Sequence, residues 1–207
     1  MIFTLLAVVA GVTIALITGG RPRNISEHQV RLWWLLFPGF GLQLIADRIA
    51  LGGIGTAALL LGYGCLLAFA AANRSLVGIG VVAVGLAANA LVIGLNGGMP
   101  VRGSAVIDAH IADADALTRV NYGHRHHLET SRDQLTWLGD IIPVQPLHAV
   151  VSFGDLILAF GVADLAGHLL HRRLGRPTRP PSGEPGKYEK GMSRTGTAQT
   201  LAYPPPA

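Results

Sequence analysis

The sequence has little charge. Of its 207 residues only 14% are Asp, Glu, Lys or Arg, against about 25% in an ordinary soluble domain. Residues 1–20, 32–46, 49–73 and 75–101 contain none of these four, and 141–171 contains only Asp155 and Asp164. That distribution excludes an ordinary soluble enzyme, because most of these stretches reach or approach the ~20 apolar residues with which a helix crosses a hydrocarbon core about 30 Å thick. Lysine is nearly missing: Lys187 and Lys190 are the only two, both near the C-terminal end, and the 14 arginines are scattered. The net charge of +4 therefore forms no basic stripe, and no nucleic-acid partner is expected. A single cysteine, Cys65, excludes a disulfide framework, a CxxC pair and a thiolate metal site. There is also no GxxxxGK[ST], GxSxG or HExxH motif, and no pair of histidines placed to hold a haem between two spans. No cofactor is expected, and an enzyme is the less favoured class.

What is present is a set of apolar runs. The first, about residues 2–18, lacks the basic residues that precede a signal-peptide core and is followed by Arg21 and Arg23, so it reads as an uncleaved span. The second, about 32–50, opens on Trp33 and Trp34 as interfacial anchors and contains Pro38-Gly39, which should kink or break it. It either crosses or forms a re-entrant hairpin. The third and fourth, about 53–72 and 76–95, are joined so briefly that they must be antiparallel neighbours, and their small residues (Ala58 and Gly62, or Gly64, Ala68 and Ala72) would allow close approach. A fifth run, about 147–171, precedes a tail (173–207) that holds seven of the twelve prolines and should be disordered. With five spans, eleven Lys and Arg fall on one side and five on the other. The positive-inside rule then places the tail in the cytoplasm, and the N-terminus and residues 96–146 outside. The expected architecture is an all-α, polytopic membrane helix bundle of about five transmembrane helices over residues 1–172, in contact with the lipid bilayer.

The polar segment 96–146 is where chemistry could reside. It begins with Asn96-Gly97-Gly98-Met99-Pro100, a helix exit. Between Ser104 and Val120, Val106, Ile107, Ile111, Ala114 and Leu117 recur near helical spacing, while Asp108, His110, Asp113 and Asp115 fall mostly elsewhere, predicting a short external amphipathic helix that caps the bundle. The cluster His124, His126 and His127 could supply metal ligands, although its spacing matches no zinc motif and Arg125 adds positive charge; a solvated loop is the simpler reading. Trp137-Leu138-Gly139-Asp140 reads as a return to headgroup level, or as a turn that projects Asp140 into an outward cleft beside Asn96.

The last run carries the two intramembrane acids. Ser152-Phe153-Gly154-Asp155 has the form of a capping box. A helix starting there puts Asp155 in its first turn and Asp164 about 14–18 Å along its axis, at 1.5 Å per residue; a start at Leu147 would bury Asp155 more deeply. Asp164 and His168, four residues apart, share a helix face with Arg172 one turn beyond, and could relay protons, pair at the interface, snorkel, or contact Asn89 or Gln43, the other polar groups in the spans.

Asn96-Gly97-Gly98-Met99-Pro100-Val101, Trp137 to Pro143 and Ser152-Phe153-Gly154-Asp155-Leu156, in that order, resemble a family of uncharacterised small bacterial, largely actinobacterial, polytopic integral membrane proteins classed as a domain of unknown function. The resemblance covers residues 1 to about 172 and implies a multi-pass protein of the bacterial inner (cell) membrane, without supplying an activity. The leading expectation is a non-enzymatic structural or accessory component of a membrane complex, with a membrane protein partner or a second copy of itself. The alternative is an outward-facing ligand or metal site, or an enzyme, built on Asn96, Asp140 and Asp155. A weaker one is proton-coupled transport through Asp164 and His168.

Overall fold

A computed structural model describes residues 30–48 and 53–170, together with 9, 11–14 and 16–19. Most of the first run and the whole tail from 171 onward, including Arg172, lie outside the described residues. Helix α1 (Leu36–Arg48) follows one 3-10 turn at Trp33–Leu35; α2 spans Gly53–Ala72 and α3 Ile79–Asn96. Strand β1 (Met99–Val101), the short helix α4 (Gly103–Asp108), β2 (His126–Leu128), β3 (Asp140–Val144) and β4 (Ala149–Ser152) come next, and α5 (Phe153–Leu170) ends the described chain. Helices α2, α3 and α5 are long and apolar enough to cross a membrane. They are apolar all round rather than along one amphipathic stripe, as a membrane span or a fully buried helix is.

The helices are held by close backbone approach. A Cβ on Gly85 of α3 would lie 2.6 Å from the Leu158 nitrogen of α5, and one on Gly161 of α5 would lie 2.6 Å from the Val82 nitrogen of α3. Only glycine fits at either crossing, and the contact between backbones brings many atoms to van der Waals distance. Gly62 of α2 does not face α3 but α1, where a Cβ would come 2.9 Å from the Gly39 carbonyl oxygen, and Gly64 faces open space. The small-residue contact expected between the third and fourth runs is thus replaced by contacts of α1 with α2 and of α3 with α5. Leu59, Leu66, Ile79, Leu86, Val92 and Ile93 fill the core between the helices. In the N-terminal run, Thr13 and Thr18 bond back to the carbonyls of Val9 and Ile14 at helical spacing, and Gly11 packs against the backbone of Ala163 on α5.

Several expectations are corrected. The fold is not all-α: a four-stranded mixed sheet in the order β2-β1-β3-β4 covers one end of the bundle. Strand β1 runs parallel to β2 (Met99↔His126) and to β3 (Val101↔Asp140), and β3 and β4 are antiparallel with an irregularity between Asp140 and Ile142. Pro100 is tolerated in this central strand because the flanking groups make the bonds: Met99 N donates to Arg125 O, Glu129 N to Val101 O and Arg102 N to Asp140 O. The single amphipathic helix expected over 104–120 is two pieces, α4 and a 3-10 turn at Ala114–Arg119, because His110 adopts a left-handed conformation (φ 54°) that ends the first. Pro38-Gly39 does not break α1, since Pro38 falls in the first turn, where backbone N–H groups have no intrahelical acceptor. Of the two starts open to the last helix, the structure has the capping-box one: it begins at Phe153, and the residues near 147 precede strand β4.

Candidate functional site, the junction of sheet and bundle

The sheet lies where α3 ends and α5 begins, because β1 follows the left-handed Gly97 turn (φ 70°) after α3 and β4 runs directly into α5. Thr56 near the start of α2 is tied to the same place, its hydroxyl donating to Gly97 O at 2.6 Å. Three helices and two strands therefore converge on one small volume, and its polar side chains form a closed network. Ser152 is the N-cap of α5: its Oγ accepts from Asp155 N at 3.0 Å, and its own N–H donates to Asp155 Oδ2 at 3.3 Å, the reciprocal pair of a capping box. Asn89 of α3 completes the set, its Nδ2 donating to Asp155 Oδ1 at 2.8 Å while its Oδ1 accepts the Ser152 hydroxyl at 3.0 Å. Asn89 and Ser152 are 1% and 0% exposed. Asp155 thus stands in the first turn of α5, held from both sides by hydrogen bonds.

Above this network lies Asp140, the first residue of β3, 5% exposed and in register with Ser152. Its Oδ2 is 3.6 Å from Nε2 of His126, beyond hydrogen-bonding range. Burial pushes the Asp140 carboxyl well above the ordinary carboxylate range, the negative Asp155 adds to the rise, and the charges of the N-terminal amino group and of Arg125 oppose it. Tyr63 of α2 reaches the network from below, where its side chain interacts with Asn89 within range of the charges of Asp155, Arg125 and Asp140.

The remaining site candidates lie elsewhere. Asn96 does not join Asp140 and Asp155: its side chain holds the Gln134 backbone, Nδ2 donating to Gln134 O at 2.9 Å and Oδ1 accepting from Gln134 N at 2.7 Å. His126 and His127 occupy successive positions of β2, so their side chains leave opposite faces of the strand; His127 Nε2 meets Asp133 Oδ1 at 3.1 Å, and His124 is exposed on the preceding turn. Among the described residues no group of three His, Cys, Asp or Glu side chains is arranged to hold a metal ion. Asp164 and His168 pair at 3.1 Å near the far end of α5, both partly exposed.

Tyr63 and Arg125 escaped selection, and Asn89 was weighed only as a contact for Asp164 and His168. Asn89 carried a signal: it is the one strongly polar side chain in the interior of the run that forms α3. Chemically, the junction can hold hydrogen bonds and a proton; it presents no nucleophile beside a base. No match to the chain was found among curated proteins or solved structures. Residues 27–165, more than half the chain, match the family of unknown function DUF5317, and it is to this family that the protein belongs.

Proposed function

We propose that the protein is a five-span integral membrane protein whose sheet-bearing cap stands outside, and that it serves as a non-enzymatic structural or accessory partner within a membrane complex. One observation carries this reading: among the described residues no buried side-chain nitrogen or oxygen lacks a hydrogen-bond partner. A polar network so closed rigidifies a platform and leaves no convergent groups open to a substrate. The path of α1 supports a full crossing. Arg31, just before it, exchanges two backbone bonds with the Asn73 side chain beyond the end of α2, at 2.8 and 2.7 Å, and Gly39 and Gln43 lie beside Gly62 further along. The chain thus runs antiparallel to α2 from one end towards the other. Exposed Trp33 and Trp34 at that end, and exposed Trp137 in the cap, fit two interfacial belts. The inner-membrane setting rests on the family resemblance, and the orientation on the eleven-to-five division of Lys and Arg.

Two experiments test the reading. Reporter fusions at residues 25 and 50 should label opposite sides; labelling on the same side would remove the five-span topology. Cross-linking in intact membranes followed by mild-detergent purification should recover a defined heteromeric or homomeric species, and recovery of monomer alone would count against an accessory role.

A further inference from the structure

The end of the bundle opposite the sheet carries positive charge that nothing described beside it neutralises. Arg31, just before the first 3-10 turn, and Arg74, in the short link between α2 and α3, are both exposed, and neither guanidinium makes a hydrogen bond or an ion pair among the described residues. The two come from distant parts of the chain and are brought together by one buried side chain. Asn73, 2% exposed, accepts from Arg31 N at 2.8 Å through Oδ1, and donates through Nδ2 to Arg31 O at 2.7 Å and to Phe69 O at 2.8 Å. The amide thus fixes the Arg31 backbone to the end of α2, and Arg74 follows Asn73 by one peptide, about 3.8 Å between Cα atoms. Two long cationic side chains therefore start from neighbouring, fixed points.

Aromatic rings mark the depth of these points. Leu32 adopts a left-handed conformation (φ 51°) that turns the chain directly after Arg31, and Trp33 and Trp34, 58% and 53% exposed, come next. The Trp33 ring is braced edge-on by Phe37, with centroids 5.7 Å apart. Exposed indoles at the end of a span sit at headgroup level, so the arginines stand at the depth of the phosphates. The acid described at this end, Asp164, lies against Gly78 and pairs with His168 at 3.1 Å; it forms no ion pair with either arginine.

We propose that Arg31 and Arg74 form a site for an anionic phospholipid, whose phosphate bridges the two guanidinium groups while its acyl chains lie along the exposed apolar face of α1 at Phe37, Phe40 and Leu44. Charge complementarity selects the occupant: two unpaired cations at headgroup level match a lipid with net negative charge better than a zwitterionic one. The proposal rests on the reading of α1, α2 and α3 as spans. In the proposed orientation this end faces the cytoplasmic leaflet, where anionic lipid is met.

The protein carries its own reporters for the test, since Trp33, Trp34 and Trp137 are its three tryptophans. In full-length protein reconstituted in phosphatidylcholine vesicles, Trp137→Phe leaves the two reporters at the arginine end, and Trp33→Phe with Trp34→Phe leaves the one in the cap. Fluorescence is read with a fixed mole fraction of lipid brominated near the headgroup end of its acyl chains, either phosphatidylglycerol or phosphatidylcholine. Each lipid occupies both leaflets, so the readout does not depend on orientation. At the arginine end phosphatidylglycerol should quench more strongly. Its preference over phosphatidylcholine should fall by up to about fivefold on Arg31→Gln or Arg74→Gln, vanish in the double substitution, and weaken in ~1 M salt, where charges are screened within about 3 Å. Arg132→Gln, which removes the same charge from the cap, should leave that preference in place. Equal quenching by the two lipids at the arginine end, a preference that survives the double substitution, or an equal loss in Arg132→Gln would each overturn the site. Failure of brominated phosphatidylcholine to quench either reporter would overturn the spans and the site together.

Discussion

On one face of strand β2 the imidazole of His126 approaches Asp140, a carboxyl enclosed between sheet and bundle; on the other, His127 approaches Asp133, enclosed only by its own turn. The two acids have similarly small exposed side-chain fractions, 8% and 9%, yet they are displaced in opposite directions. Burial raises Asp140, and the negative Asp155 raises it further. Burial also pushes Asp133 up, but the Thr130 N–H at 2.7 Å, His127 and the Thr130 hydroxyl at 3.0 Å more than offset it, leaving the carboxyl below its ordinary range. Depth and the donors that point at a carboxyl together set its charge: Asp140 is the deeper of the two, and Asp133 has the donors. The pH consequences are opposite in sign. Asp133 contributes stability above the ordinary carboxylate value that is lost as pH falls through its folded value, whereas stability linked to Asp140 is lost as pH rises.

The contrast can be broken from the inside first. Gly85→Leu forces a side chain into the backbone of Leu158 and Gly154; α3 and α5 must separate, at a cost of about 3 kcal/mol, read as the loss of folded protein in detergent unfolding. Asn89→Ala comes next. Hydrogen bonds within membranes contribute about 0.6 kcal/mol on average, but this substitution orphans a carboxylate oxygen and a buried hydroxyl together, so a loss of about 2 kcal/mol is expected. Ser152→Ala removes the N-cap of α5 and should cost about 1 kcal/mol, with faster hydrogen exchange confined to the first turn of that helix. The outer face should respond least: Asp133→Asn is expected to cost under about 1 kcal/mol, because His127 is partly exposed and its pairing is screened. Its signature is a flatter loss of stability on the acid side, measured by unfolding at a series of low pH values.

The long helices were the legible part of the fold. Charge-free runs placed spans at 53–72 and 76–95, close to α2 and α3; α3 starts three residues later because Gly78, with a φ of 84°, is its N-cap. The Ser-x-x-Asp pattern at Ser152 and Asp155 likewise signalled the start of α5, since a capping box is a local device with its own spacing. The sheet was hidden. Its strands are three to five residues long, too short for alternation to show, and β1 finds both its partners far along the chain. Met99-Pro100-Val101 looked like a helix exit, which it is, but nothing local announces that it also pairs on both sides. The site was legible in part for the same reason. Asp140 and Asp155 stood out as acids in apolar surroundings, whereas Asn96, chosen for its place at a helix end, serves the Gln134 backbone, and Asn89 two turns earlier takes the position it was expected to fill.

The pairing of Val101 with Asp140 and of Asp140 with Ser152 also orders events during synthesis. Helices α2 and α3 can pair as soon as both have left the ribosome, whereas β1 emerges with no strand to join. Only after residue 144 has been made can the central strand β1 have both neighbours, and only after residue 152 is the sheet complete. Long-range closure of this kind is slow compared with the pairing of adjacent helices. The first half of the protein therefore carries an open strand edge until then, and α5, docking on Gly85, follows directly on the strand that completes the sheet.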